Sequence, residues 1–395
     1  MAFLTHDVAD YRRAAMQQFM DDRQLDALAF LTSDYFFYAT NYFLDVAPWE
    51  RPVIVVVPRN GEPFAVMHEL STNHLKMARE RGTLWVDDVV LYSEHPRRDD
   101  RLFLTPQWPD LVADRLLEHG LRFSRIGVDA AVGLLAQARL ILPGVTFVPV
   151  EREMRQLRLV KHAKEIELIR LGASLSDWAQ DRYREEIRPG RIVQELDFSV
   201  AAMTASEAAR RHADENVEIR CFSLSGPESA APHGTGAATG KVVENGHGIV
   251  NIVIVRVNGL VVENERTWFC GRPTKQQADA FDAATRAQQA AIEQMVTGNS
   301  LAAVDTAALT ILESSGYGAN VIHRTGHGIG IAGHEFPDDM PFSPRPLMAN
   351  EVYSAEPGIY IFGLGGFRHD DTVVIGDVPE VVTKAPKDIA SQTVA

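Results

Sequence analysis

Cysteine is almost missing from this chain of 395 residues: Cys221 and Cys270 are the only two, each inside a strand-like apolar run. That excludes a disulfide framework and a thiolate zinc cluster. Positive charge is also in short supply, with 39 Lys and Arg against 53 Asp and Glu and a formal net charge of -14. Nucleic acids and anionic membranes select for basic surfaces, so neither is an expected partner. No apolar run approaches the ~20 residues that cross a bilayer. The N-terminus shows no basic stretch followed by an apolar core, so no export signal is read and a cytoplasmic protein is expected. Internal repeats and low-complexity tracts are absent. One local gap stands out: no aspartate lies between Lys241 and Glu263.

Apolar residues make up 46% of the chain, enough for two cores, and the length points to two domains. Residues 1–155 alternate helical and strand patterns, with helices over Val8–Arg23, Glu69–Gly82, Trp108–Gly120 and Val132–Leu142. Strands are read at Leu25–Leu31, Pro52–Pro58, Pro63–Met67, Leu84–Tyr92, Arg125–Asp129 and Val145–Val150. This is a mixed α/β unit. A charged helical stretch, Glu151–Lys161, connects it to residues 156–395. There, helices Glu165–Glu186 and Ile192–Ala209 precede strands, with two later helices at Lys275–Val296 and Leu301–Ser315. That order describes an α+β layer with helices covering a sheet.

The chemistry concentrates in the second half. In G-L-V-V-E-N-E-R-T-W-F-C-G (Gly259–Gly271), strand alternation puts Glu263 and Glu265 on one face. Two carboxylates side by side are costly unless they meet a cation, a metal or a substrate; a solvated edge strand is the plain alternative. His233 sits in the Pro/Gly-bounded loop A-P-H-G-T-G, where an imidazole titrating near neutrality suits proton transfer, or is simply a surface histidine. His327 stands among glycines in T-G-H-G-I-G, followed by His334 and Glu335. Glu356 precedes a Pro-Gly turn, and His369, Asp370 and Asp371 enter the last strand. Together these positions point to one functional cluster.

This motif series resembles the pita-bread (M24 peptidase, creatinase and prolidase) family. The stretch R-L-V-K-H-A-K-E-I-E-L-I (Arg158–Ile169) is similar to the usual start of the pita-bread domain, and the preceding unit to the N-terminal domain of prolidases and creatinase. The implied fold is α+β: a pita-bread catalytic domain after a smaller α/β domain. Metal-dependent members carry two Asp, a His and two Glu. The resemblance puts Glu263, His327, Glu356 and Asp370 on four of those positions and Ile252 on the first Asp. With that carboxylate gone, a two-metal clamp is not expected; if any ion binds, those four residues would hold a single divalent one.

The string Glu265–Cys270 instead resembles creatinase, a member that works without metal. It implies Glu265 and Glu356 as acids holding a cationic group, with His233 as catalytic histidine and His327 as the Gly-flanked one. W-E-R-P-V-I (Trp49–Ile54) resembles the segment whose arginine, here Arg51, reaches the partner subunit's site in a homodimer. The expectation is therefore a cofactor-free C-N hydrolase of a small zwitterionic guanidino or cyclic amidine compound. In it His233 relays a proton from water, paired glutamates clamp the cation, and Arg51, Trp49, Glu263 and His334 contact substrate. Two other readings stand beside it. One is a metal-dependent Xaa-Pro dipeptidase or aminopeptidase with an altered mononuclear site, which His334 favours; the other is a non-catalytic pita-bread binding module.

Overall fold

The computed structural model describes residues 4–44, 50–93, 108–130, 132–234, 241–336 and 340–394. The chain divides into two compact units, one ending at Leu157 and the other starting at Arg158. In the first, the elements run α1 (His6–Arg23), β1 (Ala27–Phe30), α2 (Ser33–Thr40), β2 (Ile54–Pro58), β3 (Phe64–His68), α3 (Thr72–Arg81) and β4 (Asp88–Tyr92). They continue with α4 (Trp108–Glu118), β5 (Arg125–Val128), α5 (Ala136–Ile141), β6 (Thr146–Pro149) and the short α6 (Glu151–Met154). The six strands form one mixed sheet in the order β4-β3-β2-β1-β5-β6. Helix α2 follows no amphipathic period, because Tyr35, Phe36, Phe37 and Tyr38 are all buried. A helix apolar on every side is legible only once something covers it.

The second unit begins with α7 (Ala163–Glu186) and α8 (Val193–Arg211). The first of these is started by a capping box between His162 and Glu165. Strands β7 (Val217–Ser225), β8 (Gly248–Val257) and β9 (Leu260–Cys270) follow, then α9 (Lys275–Gln294) and α10 (Leu301–Ser314). The chain ends with β10 (Val352–Ala355), β11 (Gly358–Ile361), β12 (Gly365–Arg368), β13 (Asp370–Val374), β14 (Glu380–Val381) and β15 (Thr393–Val394). The sheet runs β10-β13-β9-β8-β7, with β14 on β13 and β15 on β9, while β11 and β12 pair separately.

Strands β8 and β9 are joined by Asn258-Gly259, both at positive φ (46° and 86°), the two-residue turn whose twist matches antiparallel strands. This turn fixes the register that the site depends on. On one face of β9, Asn264 Nδ2 donates to Ser176 Oγ and Asp177 Oδ1 of α7, and the Trp268 Nε1–H donates to Gln180 Oε1 of the same helix. Glu263 and Glu265 consequently point to the opposite face. Every residue of β9 is buried, so it is a central strand covered on both sides rather than a solvated edge. A second core, with Phe269, Phe281, Leu312, Tyr353 and Phe367, packs α9 and α10 against the sheet.

Candidate active site

The open face of β7, β8 and β9 borders a cavity of about 630 Å³ lined by Phe222, Ile252, Ile254 and Val261, with Glu263, Glu265, His327 and Glu356 among its polar groups. Each polar group is set by local backbone. Asp370 lies opposite Glu265 across β13 and β9 and offers Oδ1 to the Ala355 N–H at 3.2 Å. Glu356 follows β10 directly, its N–H donated to the Thr325 carbonyl at 2.7 Å. His327 is locked to the same strand: its N–H reaches Ser354 Oγ at 3.0 Å, and its carbonyl accepts from the Ser354 N–H at 2.9 Å. That approach requires Gly326, where a Cβ would sit 2.1 Å from the Ser354 carbonyl oxygen.

The His327 ring is buried, with Nδ1 at 3.1 Å from the Gly328 carbonyl and Nε2 at 3.3 Å from Glu263 and 3.4 Å from Glu356. His334 stacks on it, centroids 3.8 Å apart. Burial alone would lower the His327 pKa, but the hydrogen bond and charge of Glu263, with Glu356 behind, raise it to about 9. Burial raises Glu356, yet the Arg368 and His327 charges outweigh it and hold the carboxyl below its ordinary value. Burial pushes Glu265 up to about 8 against the pull of Arg368, helped by the charges of Glu356 and Glu263. Burial and those same three carboxylates drive Asp370 well upward.

Arg368 is the residue that sequence reasoning passed over. Its guanidinium is paired in parallel with Glu265, Nη2 at 2.9 Å from Oε1 and Nε against Oε2. Nη1 donates to Tyr360 Oη at 3.0 Å and lies 4.0 Å from Glu356, and Nη2 reaches the Pro232 carbonyl beside His233. A signal was present: Arg368 precedes Asp370 by two residues in F-R-H-D-D, the spacing that puts side chains on one side of an extended chain. His233 itself is exposed on the cavity lining. Arg51 belongs to the first unit, 3.1 Å from Glu50, and Trp49 lies outside the described residues.

The donor set can be tested against a metal. Four carboxylates, Glu263, Glu265, Glu356 and Asp370, face one guanidinium and one imidazole. With all four ionised and the imidazole protonated, two negative charges remain, the amount one divalent ion neutralises; burial and this same uncompensated charge shift Glu265 and Asp370 upward. Ligand atoms of Glu265, Glu356 and Asp370 lie within 4.8 Å of one another, and the buried Asp370 Oδ2 has no hydrogen-bond partner. Hard carboxylate oxygens with one imidazole suit Mn, Co or Zn. Ile252 is buried opposite Glu265 and supplies no ligand. The residues fit one ion.

The model of metallopeptidase family M24 matches residues 167–377, and that of the creatinase/prolidase N-terminal domain matches residues 12–160. The chain belongs to metallopeptidase family M24. It is a hydrolase of C-N bonds. The M24 chain is 31% identical over 229 residues to an Xaa-Pro dipeptidase of Pyrococcus furiosus, covering 58% of this chain and 64% of that protein. To the "Probable dipeptidase PepE" of Mycobacterium bovis it is 32% identical over 336 residues, covering 83% and 82%. The solved prolidase of Thermococcus sibiricus superposes with a TM-score of 0.81 at 24% identity over 97% of this chain and 98% of that one, a likeness of fold.

These findings correct two expectations. A metal-independent, creatinase-like hydrolase of guanidino or amidine compounds is overturned, because the matched family is one of metallopeptidases and these relatives are dipeptidases. The expectation that no cofactor is needed falls with it. The physical reason lies in Glu265. The acid assigned to a substrate guanidinium already holds the chain's own guanidinium, Arg368, while Glu263 and Asp370 add charge that calls for a metal. Among the described residues, no helix is long and apolar enough to cross a membrane.

Proposed function

We propose that this M24 protein is a divalent-metal-dependent peptidase that cleaves Xaa-Pro or closely related dipeptides. The observation that carries the reading is the convergence of Glu263, His327 and Glu356 on a cavity with apolar walls, with the buried Asp370 within 4.8 Å of Glu356. Those four residues would hold the ion. When bound, it supplies Lewis-acid polarisation of the scissile carbonyl and acidifies a water molecule. Glu356, kept ionised by Arg368 and His327, accepts the proton of the attacking water. Arg324 Nη2 donates to His334 Nδ1 at 3.0 Å, so the neutral ring carries its hydrogen on Nε2. Burial, followed by the charge of His327, holds the His334 pKa down and keeps that ring neutral. Its Nε2–H is then a donor for the carbonyl oxygen as negative charge develops there. His233, exposed on the cavity lining, would pass a proton to the departing nitrogen. Phe222, Ile252 and Ile254 form a floor suited to a pyrrolidine ring.

The test is chelation to below a tenth of an ion per chain, checked by elemental analysis, then reloading with Mn, Co or Zn and assay on Xaa-Pro dipeptides. Activity should vanish on chelation and return on reloading. Undiminished activity in the fully chelated protein, or no turnover with any ion, would overturn the reading.

A further inference from the structure

The register of the sheet orders the cavity face into rungs. Phe222 lies opposite Ile252 and Ile252 opposite Glu265; one rung along, Arg220 lies opposite Ile254 and Ile254 opposite Glu263. All six residues line the cavity. Neighbouring strands are ~4.8 Å apart, so the Arg220 backbone stands roughly 10 Å across the sheet from that of Glu263. Ile254 lies between them.

Three arginines face this space, and two are engaged. Arg368 is held by Glu265 and Tyr360. Arg256 donates to the carbonyls of Gly259 and Ile331 and has Glu218 at 3.7 Å. Arg220 is exposed and, among the described residues, makes no hydrogen bond or ion pair; its guanidinium rests on the Phe222 ring, 4.7 Å from the centroid. A cation stacked on a ring is oriented in advance while its N–H edges stay available. Glu218, Glu263, Glu265 and Glu356 line the same cavity, so a substrate anion is repelled from most of it and attracted at Arg220.

We infer that Arg220 is a specificity-determining residue that binds the free C-terminal carboxylate of the substrate, with the last side chain resting on Ile254 and Ile252. The inference rests on the peptidase reading above. In a dipeptide the carboxylate lies one residue beyond the scissile bond. Each further residue carries it ~3.3–3.6 Å farther, past the reach of one arginine. Arg220 therefore makes the site a reader of chain length as well as of charge.

The test compares an Ala-Pro dipeptide with its C-terminal amide on metal-loaded wild type, R220Q, R220K and R51Q. Binding of the reduced-bond (CH2–NH) analogues of acid and amide is followed in parallel by calorimetry. Wild type should favour the acid by about 10- to 100-fold, the worth of a hydrogen bond to a charged group. R220Q should bring the acid-to-amide ratio to within about threefold of unity, with the loss in KM rather than kcat, and R220K should recover part of it. A ratio unchanged in R220Q, or one that collapses in R51Q instead, overturns the inference. If wild type cleaves neither compound, the peptidase reading fails. The calorimetric ratio then decides the Arg220 assignment by itself.

Discussion

Removing the Arg368 guanidinium should be among the most damaging single changes in the second unit. Arg368 and Glu265 are both buried, at 2% and 5% exposure, and joined by two parallel contacts. Above about pH 8, where Glu265 is ionised, R368M leaves its carboxylate with no cation and Tyr360 Oη without its donor. Stranding one member of a buried pair costs about 3–5 kcal/mol. In a unit of this size each kcal/mol moves Tm by about 2–4 °C, so a fall of roughly 6–20 °C is expected. E265Q should cost less, because Arg368 keeps Tyr360 and lies 4.0 Å from Glu356. The double variant E265Q/R368M should be more stable than the sum of the single losses by about 2 kcal/mol, since neither group is left charged alone. Thermal and urea unfolding of chelated protein measure all three, which keeps ion binding out of the comparison. Strict additivity, or a loss below about 1 kcal/mol in R368M, would refute the argument that this pair is the internal counterweight to the carboxylates.

G326A forces a methyl group to within 2.1 Å of the Ser354 carbonyl oxygen, a backbone atom that cannot swing away. It should cost about 1–3 kcal/mol and weaken ion retention by displacing His327, whereas G133A, with open space around it, should stay within about 0.5 kcal/mol by thermal unfolding; equal losses in the two would count against the close approach. Asp197 accepts from Tyr183 Oη at 2.7 Å and from the Ser223 N–H at 2.9 Å. Burial nevertheless pushes it up to about 6 against those hydrogen bonds. A carboxyl whose folded pKa lies above its unfolded value adds stability at low pH that is lost as pH rises. Between pH 5 and 7.5 this group should therefore cost wild type about 1–1.5 kcal/mol. Across that range the stability of wild type relative to D197N, from urea unfolding, should fall by this amount as pH rises, and parallel profiles would show that Asp197 is not the group responsible.

Much of the architecture was readable from local pattern. Helices α7 to α10 follow apolar spacing with caps or stops, and the Asn258-Gly259 turn announces the β8–β9 hairpin. Alternation alone put Glu263 and Glu265 on one face, as the structure has them. Helix α2 escaped because a helix buried all round has no polar face to mark its period. The cofactor expectation failed for a different reason. The lost aspartate at Ile252 was weighed as a missing ligand, but metal affinity follows the total charge converging on a point. That sum includes Asp370 and Glu265, brought together by pairing β13 with β9 across about a hundred residues of chain.

By itself, then, the sequence determined the types of the elements, the faces of the strands and the order of motifs that marks the family, because those depend on neighbours a few residues away. Only the tertiary structure decided which charges meet. The pairing of Glu265 with Arg368, the two carbonyls that occupy Arg256 and the unengaged guanidinium of Arg220 arise from contacts between strands and loops far apart in the chain. Electrostatic partners are chosen by distance in space, and no local periodicity encodes that distance.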